Sequence, residues 1–310
     1  MPLFMRLLTL HKSMAKRITV QVPVRIDLAG GWTDVPAYCH KHRGEVVNIA
    51  INKYVTATCE VDDERRMEVA YRTDTPTGCG LGTSAAMNVA LVAAISKEGE
   101  AESIIAEKAY QIEAILGNTG GRQDQWASAF GGVQHLIFEG DEVARSALKL
   151  SGEFTAWLEQ NLMLFDTGLP HVSGRLHESI WSRFERSDPN VQEGLDELCD
   201  AAQVMHQSIL NEDQQGVASA LMKVMQGVDL LDPALHDPFR SVTVPLTEAG
   251  RITAWKAMGA GGGGVVGMLQ SGKADDEAAI TLAAQEAGWQ RIVWRIESKG
   301  IQRTETISHD

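Results

Sequence analysis

The run Gly78-Cys79-Gly80-Leu81-Gly82-Thr83-Ser84-Ala85-Ala86 constrains the fold more than any other stretch of the chain. Glycines at alternate positions let the backbone take positive φ and curl tightly, at little steric cost. A hydroxyl pair follows, then an apolar run from Ala85 to Ile95 made largely of good helix formers. The segment predicts a loop of bare amides opening onto a helix N-terminus, a geometry suited to anionic oxygens such as phosphate. Taken alone, such a loop is as often a simple turn. It lacks the Gly-Lys-Ser/Thr ending of a Walker A loop, and its third glycine comes too early for a dinucleotide fingerprint. The Thr83-Ser84 pair adds what those glycines lack, a hydroxyl able to reach a phosphate-bound Mg²⁺.

A chain of 310 residues holds one large domain or two medium ones, and 44% hydrophobic with 22% charged residues fits an ordinary globule. The formal charge of −13 argues against nucleic acid or an anionic membrane as partner, but not against a nucleotide held by local amides and a metal. Cys39, Cys59, Cys79 and Cys199 form no CxxC pair and no zinc-spaced cluster, so reduced thiols and a cytoplasmic setting are expected. Met1 to Ser13 carries an apolar run broken by Arg6, too short for a bilayer span and without a signal cleavage site. Met1 and Met14 both remain as start codons.

Residues 18–28 alternate in the β-branched manner of strands and run into the loop Ala29 to Pro36. Strand character returns at Val46 to Val61 and at Glu68 to Arg72. Beyond Ser84, helical periodicity covers Ala101 to Leu116, with a short helix at Gln123 to Phe130 and a strand at Val133 to Phe138. A buried strand ends at Phe165, helices follow at 173–186, 191–210 and 215–231, and Gly259 to Gly264 precedes an apolar strand. A helix at 274–287 and a last strand at 290–295 close the pattern. The reading is an α+β fold of two lobes, 15–155 and 156–310, with a cleft between them.

Three glycine-patterned segments, Arg25 to Asp34, Gly78 to Ala86 and Gly259 to Gly264, together with Gly120-Gly121-Arg122-Gln123-Asp124-Gln125, resemble in order the motifs of the GHMP kinases. That superfamily is named for galactokinase, homoserine kinase, mevalonate kinase and phosphomevalonate kinase. The resemblance covers nearly everything after Lys16. The Asp27 to Asp34 loop and the 121–132 segment look like those of the fucokinase and D-glycero-D-manno-heptose-7-phosphate kinase branch. It implies a two-lobed kinase using ATP and Mg²⁺ to phosphorylate the anomeric hydroxyl of a sugar.

The resemblance also implies roles, position by position. Asp124 matches the catalytic aspartate; a carboxylate is a weak base toward a sugar hydroxyl, suited to orienting it and taking its proton late. Arg25 matches the arginine beside it, and an arginine in so apolar a strand needs a partner such as Asp124. Gly78, Gly80, Leu81, Gly82, Thr83, Ser84 and Ala85 form the phosphate cradle. Ser84 and Glu113 form the metal pair, Glu113 standing eleven residues before Asp124 as in mevalonate kinase relatives. Sugar contacts fall to Gly31, Trp32, Asp34, Gly121, Gln123, Thr167, Gly168, Gly261 and Gly262.

Bland readings stand beside these: a turn aspartate at 34, a solvated helix glutamate at 113, a linker at 259–264. Soon after Thr167-Gly168 relatives often carry an arginine, whereas this chain has Leu169-Pro170-His171, leaving His171 or Arg175 as substitutes. The chain is also shorter than its relatives between Val61 and Pro76. Two rival functions remain open, a kinase of another small alcohol and a sugar- or nucleotide-binding regulator without turnover. For a phosphorylated sugar the candidate cations are Arg72, His171 and Arg175.

Overall fold

A computed structural model describes residues 14–62, 66–117, 120–169 and 173–309. The alternation of Val20, Val22, Val24, Ile26 and Leu28 lays five branched side chains, all fully buried, along one face of strand β1 (Met14–Ala29). A one-turn helix α1 (Pro36–Cys39) leads to β2 (Gly44–Val61), which lies antiparallel to β1. Their register shifts at Pro23/Val24 and at Asp27/Ala29. The first shift absorbs a proline that cannot donate to the ladder; the second re-aims the strand end where the glycine loop Gly30-Gly31 begins.

Strand β3 (Met67–Thr73) pairs with the far half of β2. Helices α2 (Thr83–Ile95), α3 (Glu102–Ile115) and α4 (Gln123–Phe130) then precede the hairpin β4 (Val133–Glu139) and β5 (Glu142–Leu148). α5 (Gly152–Asn161) starts on the Ser151 hydroxyl, which accepts from the Phe154 amide. β6 (Leu162–Asp166) and α6 (Ser173–Glu185) follow. α7 (Pro189–Leu210) is capped by Asp188 with proline at its first turn, and α8 (Gln214–Leu231) is capped by Asp213. α9 (Asp237–Glu248), β7 (Ile252–Ala257), β8 (Val265–Gln270), α10 (Asp276–Glu286), β9 (Gln290–Ile292) and β10 (Gln302–His309) complete the described chain.

Two sheets result. The first runs β10-β1-β2-β4-β5, with β3 also on β2; the second runs β7-β8-β6-β9. The mixed architecture expected from sequence is observed, and residue 155 falls inside α5. The carboxyl-terminal strand, however, crosses back to the first sheet, pairing Gln302 with Gln21 and Ser308 with Ala15. One hydrophobic core joins the first sheet to α2, α3, α7 and α8. A smaller one lies on the far face of the second sheet under α9 and α10. Strand β6 shows how period 2 divides them: Leu162 and Leu164 enter the larger core, Met163 and Phe165 the smaller.

Candidate active site

The helix α2 begins at Gly82 with φ 74° and no side chain capping its amides. Those amides are thus left to a ligand, and the macrodipole favours an anion there. Gly78 and Gly80 share the positive φ, at 77° and 87°. At Gly80 the need for glycine is also steric, since a Cβ would lie 2.3 Å from the Met258 carbonyl oxygen. The second glycine run thus packs beneath the first. Val265 N–H donates to the Cys79 carbonyl at 2.8 Å, and Arg25 N–H to that of Leu81 at 3.0 Å. The hydroxyl pair divides its work: Thr83 is buried and hydrogen-bonded to Thr75 at 2.8 Å, whereas Ser84 is exposed. Cys79 is buried, and burial pushes its thiol up, so it is packing rather than a reactive group.

A cavity of about 250 Å³ opens beside this loop. It is lined by Arg25, Gly31, Trp32, Asp34, Gly78, Gly80, Gly82, Thr83, Ser84, Ala85, Glu113, Gly121, Gln123 and Asp124 from the expected set. Asp124 is the second residue of α4, in its first turn. Its Oδ1 receives both Arg25 Nε at 2.7 Å and a second guanidinium nitrogen at 2.6 Å. The remaining Arg25 nitrogen donates to the Gly80 carbonyl. Burial works against the Arg25 cation, but Asp124, Asp27 and Asp34 outweigh it and hold its pKa up. Asp124 Oδ2 accepts from no described residue and faces Gly82, whose missing Cβ would lie 3.1 Å away.

Ser84 Oγ donates to Glu113 Oε1 at 3.4 Å. Burial, then Asp124, push Glu113 above the usual carboxylate range, while hydrogen bonds from Asn88, Ser84 and Gln125 oppose them. Among the described residues no cluster of three or more His, Cys, Asp or Glu could hold a metal by itself. One hydroxyl and one carboxylate at a phosphate cradle nevertheless suit Mg²⁺, which takes few protein ligands and fills its shell with phosphate oxygens and water. The residues present therefore fit that ion.

On the other side of Asp124, Asp34 is 2% exposed and accepts from the Gln123 amide at 3.0 Å. Burial raises it to about 6, with Asp124 and Asp27 adding to the rise. Trp32 sits at φ 82° and stacks on His177 of α6, ring centroids 4.1 Å apart. Three buried polar atoms here have no partner among the described residues: Trp32 Nε1, Gln123 Oε1 and Asp27 Oδ1.

Five expected residues are absent from the lining. Leu81 is fully buried and contributes its carbonyl to Arg25. Thr167 turns its hydroxyl to the Gly264 carbonyl at 2.8 Å, and Gly168 N–H donates to Asp166. Gly262 N–H donates to Leu235 at 2.7 Å, and Gly261 lies against the same carbonyl. From the second run the cavity is lined by Gly259 and Ala260 instead. Arg72 is exposed on β3 opposite Thr56, away from the cavity, while His171 and the Arg175 side chain lie outside the described residues.

Sequence reasoning assigned no role to Asp27, Val35, Gly120 and His177, all in the lining. It also missed Lys256 of β7, 4% exposed, whose Nζ meets Asp27 Oδ2 at 3.0 Å across the two sheets. Asp27 stands two residues after Arg25, so strand alternation places both on one face; that was the available signal. Nothing in the chain announces Lys256 or His177, whose roles depend on long-range packing.

Residues 46–132 match the family model described as the GHMP kinases N terminal domain. The D-glycero-alpha-D-manno-heptose 7-phosphate kinase of Campylobacter jejuni is 25% identical over 302 residues, covering 80% of this chain and 88% of that protein. The bifunctional fucokinase/GDP-fucose pyrophosphorylase of Arabidopsis thaliana is 23% identical; 80% of this chain spans 29% of that protein's length. In fold, galactokinase of Lactococcus lactis complexed with galactose superposes with a TM-score of 0.70 at 13% identity, over 92% of this chain and 95% of the other. The fold is that of the GHMP-kinase structural neighbours. The match over residues 46–132 and the likeness to named sugar kinases support a kinase, and GHMP kinases use ATP as phosphoryl donor. Among the described residues no helix is long and apolar enough to cross a membrane.

Proposed function

We propose that the chain transfers the γ-phosphoryl group of Mg²⁺-bound ATP to the anomeric hydroxyl of a monosaccharide, giving a sugar 1-phosphate. The observation that carries this reading is the division of the Asp124 carboxylate. Oδ1 is committed to Arg25, and Oδ2 faces the glycine loop at Gly82. A hydroxyl held by Oδ2 would lie beside the phosphate cradle, in position for in-line transfer.

In this reading the amides of 78–85 hold the triphosphate, and Arg25 fixes the aspartate and faces the charge that develops during transfer. Asp124 orients the acceptor hydroxyl and receives its proton as the new P–O bond forms. Ser84 and Glu113 would hold Mg²⁺, which when bound neutralises charge on the transferring phosphates. Asp34, Gly121, Gln123, Trp32 and Gly31 form the acceptor end.

Its unpartnered donor (Trp32 Nε1) and acceptors (Gln123 Oε1 and Asp27 Oδ1) favour a polyhydroxylated ligand. Charge favours a free sugar over a sugar phosphate. Among the described lining residues, Arg25 is the one fixed cation, already committed to Asp124, against the carboxylates of Asp27, Asp34, Glu113 and Asp124.

ADP release from MgATP, measured over free sugars, sugar phosphates, isoprenoid alcohols and amino acids, tests the reading. Release with a free sugar is expected, with a product whose ³¹P resonance couples to the anomeric proton. Release only with a non-sugar alcohol, or sugar binding without release, would contradict it.

A further inference from the structure

Glu113 is held by more than Ser84. Asn88 Nδ2 donates to its Oε1 at 2.9 Å and Gln125 Nε2 to its Oε2 at 2.7 Å. The three groups come from three helices. Asn88 lies on α2, four residues after Ser84, so helical periodicity stacks both on one face. Glu113 lies in the last turn of α3. Gln125 lies on α4, directly after Asp124, and is 1% exposed.

The first turn of α4 thus sends one side chain to Arg25 and the next to Glu113. We propose that Asn88 and Gln125 are positioning residues for the metal: they clamp the Glu113 carboxylate beside Ser84, in fixed register with Asp124. This inference rests on the kinase reading above and adds to it two residues and a coupling between the metal and acceptor ends.

Packing alone explains the pair poorly. Gln125 buries its carboxamide to make one bond and leaves Oε1 without a partner, a loss an apolar side chain of similar length would avoid. The arrangement makes sense if the direction of the donated bond matters. A carboxylate with both oxygens directed cannot swing when the metal arrives, and outer partners of this kind hold metal ligands in orientation. Glu113 Oε1 accepts from both Asn88 and Ser84, so the shorter Asn88 bond fixes one lone-pair direction, and the one now taken by the exposed Ser84 hydroxyl is the direction a shared metal would use.

The test measures binding, independent of turnover. Mn²⁺ affinity of the protein–ATP complex is followed by electron paramagnetic resonance, and metal-free ATP affinity by calorimetry, for the wild type, Asn88→Ala and Gln125→Met. Each variant is expected to bind Mn²⁺ about tenfold or more weakly, with metal-free ATP affinity within about twofold. Gln125 is buried, so its variant carries a folding risk. Asn88 is half-buried and provides the same test with a smaller folding risk. Unchanged Mn²⁺ affinity in the folded variants, with only the melting temperature lowered, would overturn the clamp while leaving the kinase reading intact. A wild-type protein that binds no Mn²⁺ in the presence of ATP would overturn both.

Discussion

Replacing Arg25 with methionine probes the pairing at the centre of the site. The guanidinium is 4% exposed and donates three hydrogen bonds, two to Asp124 Oδ1 and one to the Gly80 carbonyl. Removing one member of a buried ion pair costs about 3–5 kcal/mol when the other is left stranded. Asp124, however, is one-quarter exposed and can recover water, so the loss of stability should fall near about 2–3 kcal/mol. Catalysis should suffer more. Without Arg25 the aspartate can rotate, and a donor facing the developing charge is gone, an effect of about 10²–10³ in kcat. Arg25→Lys should recover only part, because a point charge cannot serve both Asp124 and the Gly80 carbonyl as a planar fork does. Steady-state ADP release against ATP and acceptor, with thermal melts, provides the check. A kcat within threefold of wild type, or a loss confined to ATP affinity, would rule out this role for Arg25.

Three further outcomes follow from the same geometry. Asp34, near 3.9 when unfolded and about 6 when folded, holds its proton more tightly in the native state. Its ionisation therefore costs nothing below pH 4, increasingly more between 4 and 6, and up to about 3 kcal/mol above 6. Asp34→Asn should raise the melting temperature above pH 6 but not below pH 4, and weaken acceptor binding; an equal change at pH 4 and 8 would contradict this.

Gly121→Ala places a Cβ 1.9 Å from Asp34 Oδ2, and should raise the acceptor KM about tenfold or more with little change for ATP. Lys256→Met strands the buried Asp27 and should destabilise by about 3–5 kcal/mol, most of which the Asp27→Asn/Lys256→Met double variant should restore. Chemical denaturation measures both, and a double variant no better than the single would rule out the pairing argument.

What the sequence revealed depended on how local each signal was. Arg25, Ser84, Glu113 and Asp124 line one cavity, and their meeting could be anticipated because each sits in or near a glycine-patterned segment; helix α4 matches its expected bounds because Gly131 ends it at positive φ. The misses have physical causes. Strand β10 consists of Gln302-Arg303-Thr304-Glu305-Thr306-Ile307-Ser308-His309, mostly polar because it is an edge strand, so its place is set by pairing with β1 and not by hydrophobic pattern. Helix α9 contains Val242, Thr243, Val244 and Pro245, all poor helix formers; burial of Phe239, Val242 and Leu246 overrides that preference. Thr167, Gly168, Gly261 and Gly262 were matched by motif position, yet hydrogen bonds and packing among 167, 235 and 264 turn that layer away from the cavity. Lys256 and Asp27 are 229 residues apart, and no single-sequence pattern carries that distance.

The most direct measurement is turnover of Asp124→Asn set against its affinity for ATP. The substitution keeps the shape of α4 and an oxygen for Arg25 while removing the negative charge. If Asp124 serves the acceptor hydroxyl, kcat falls about 10³-fold or more with ATP affinity within about twofold. A variant that turns over its alcohol at the wild-type rate would contradict the account.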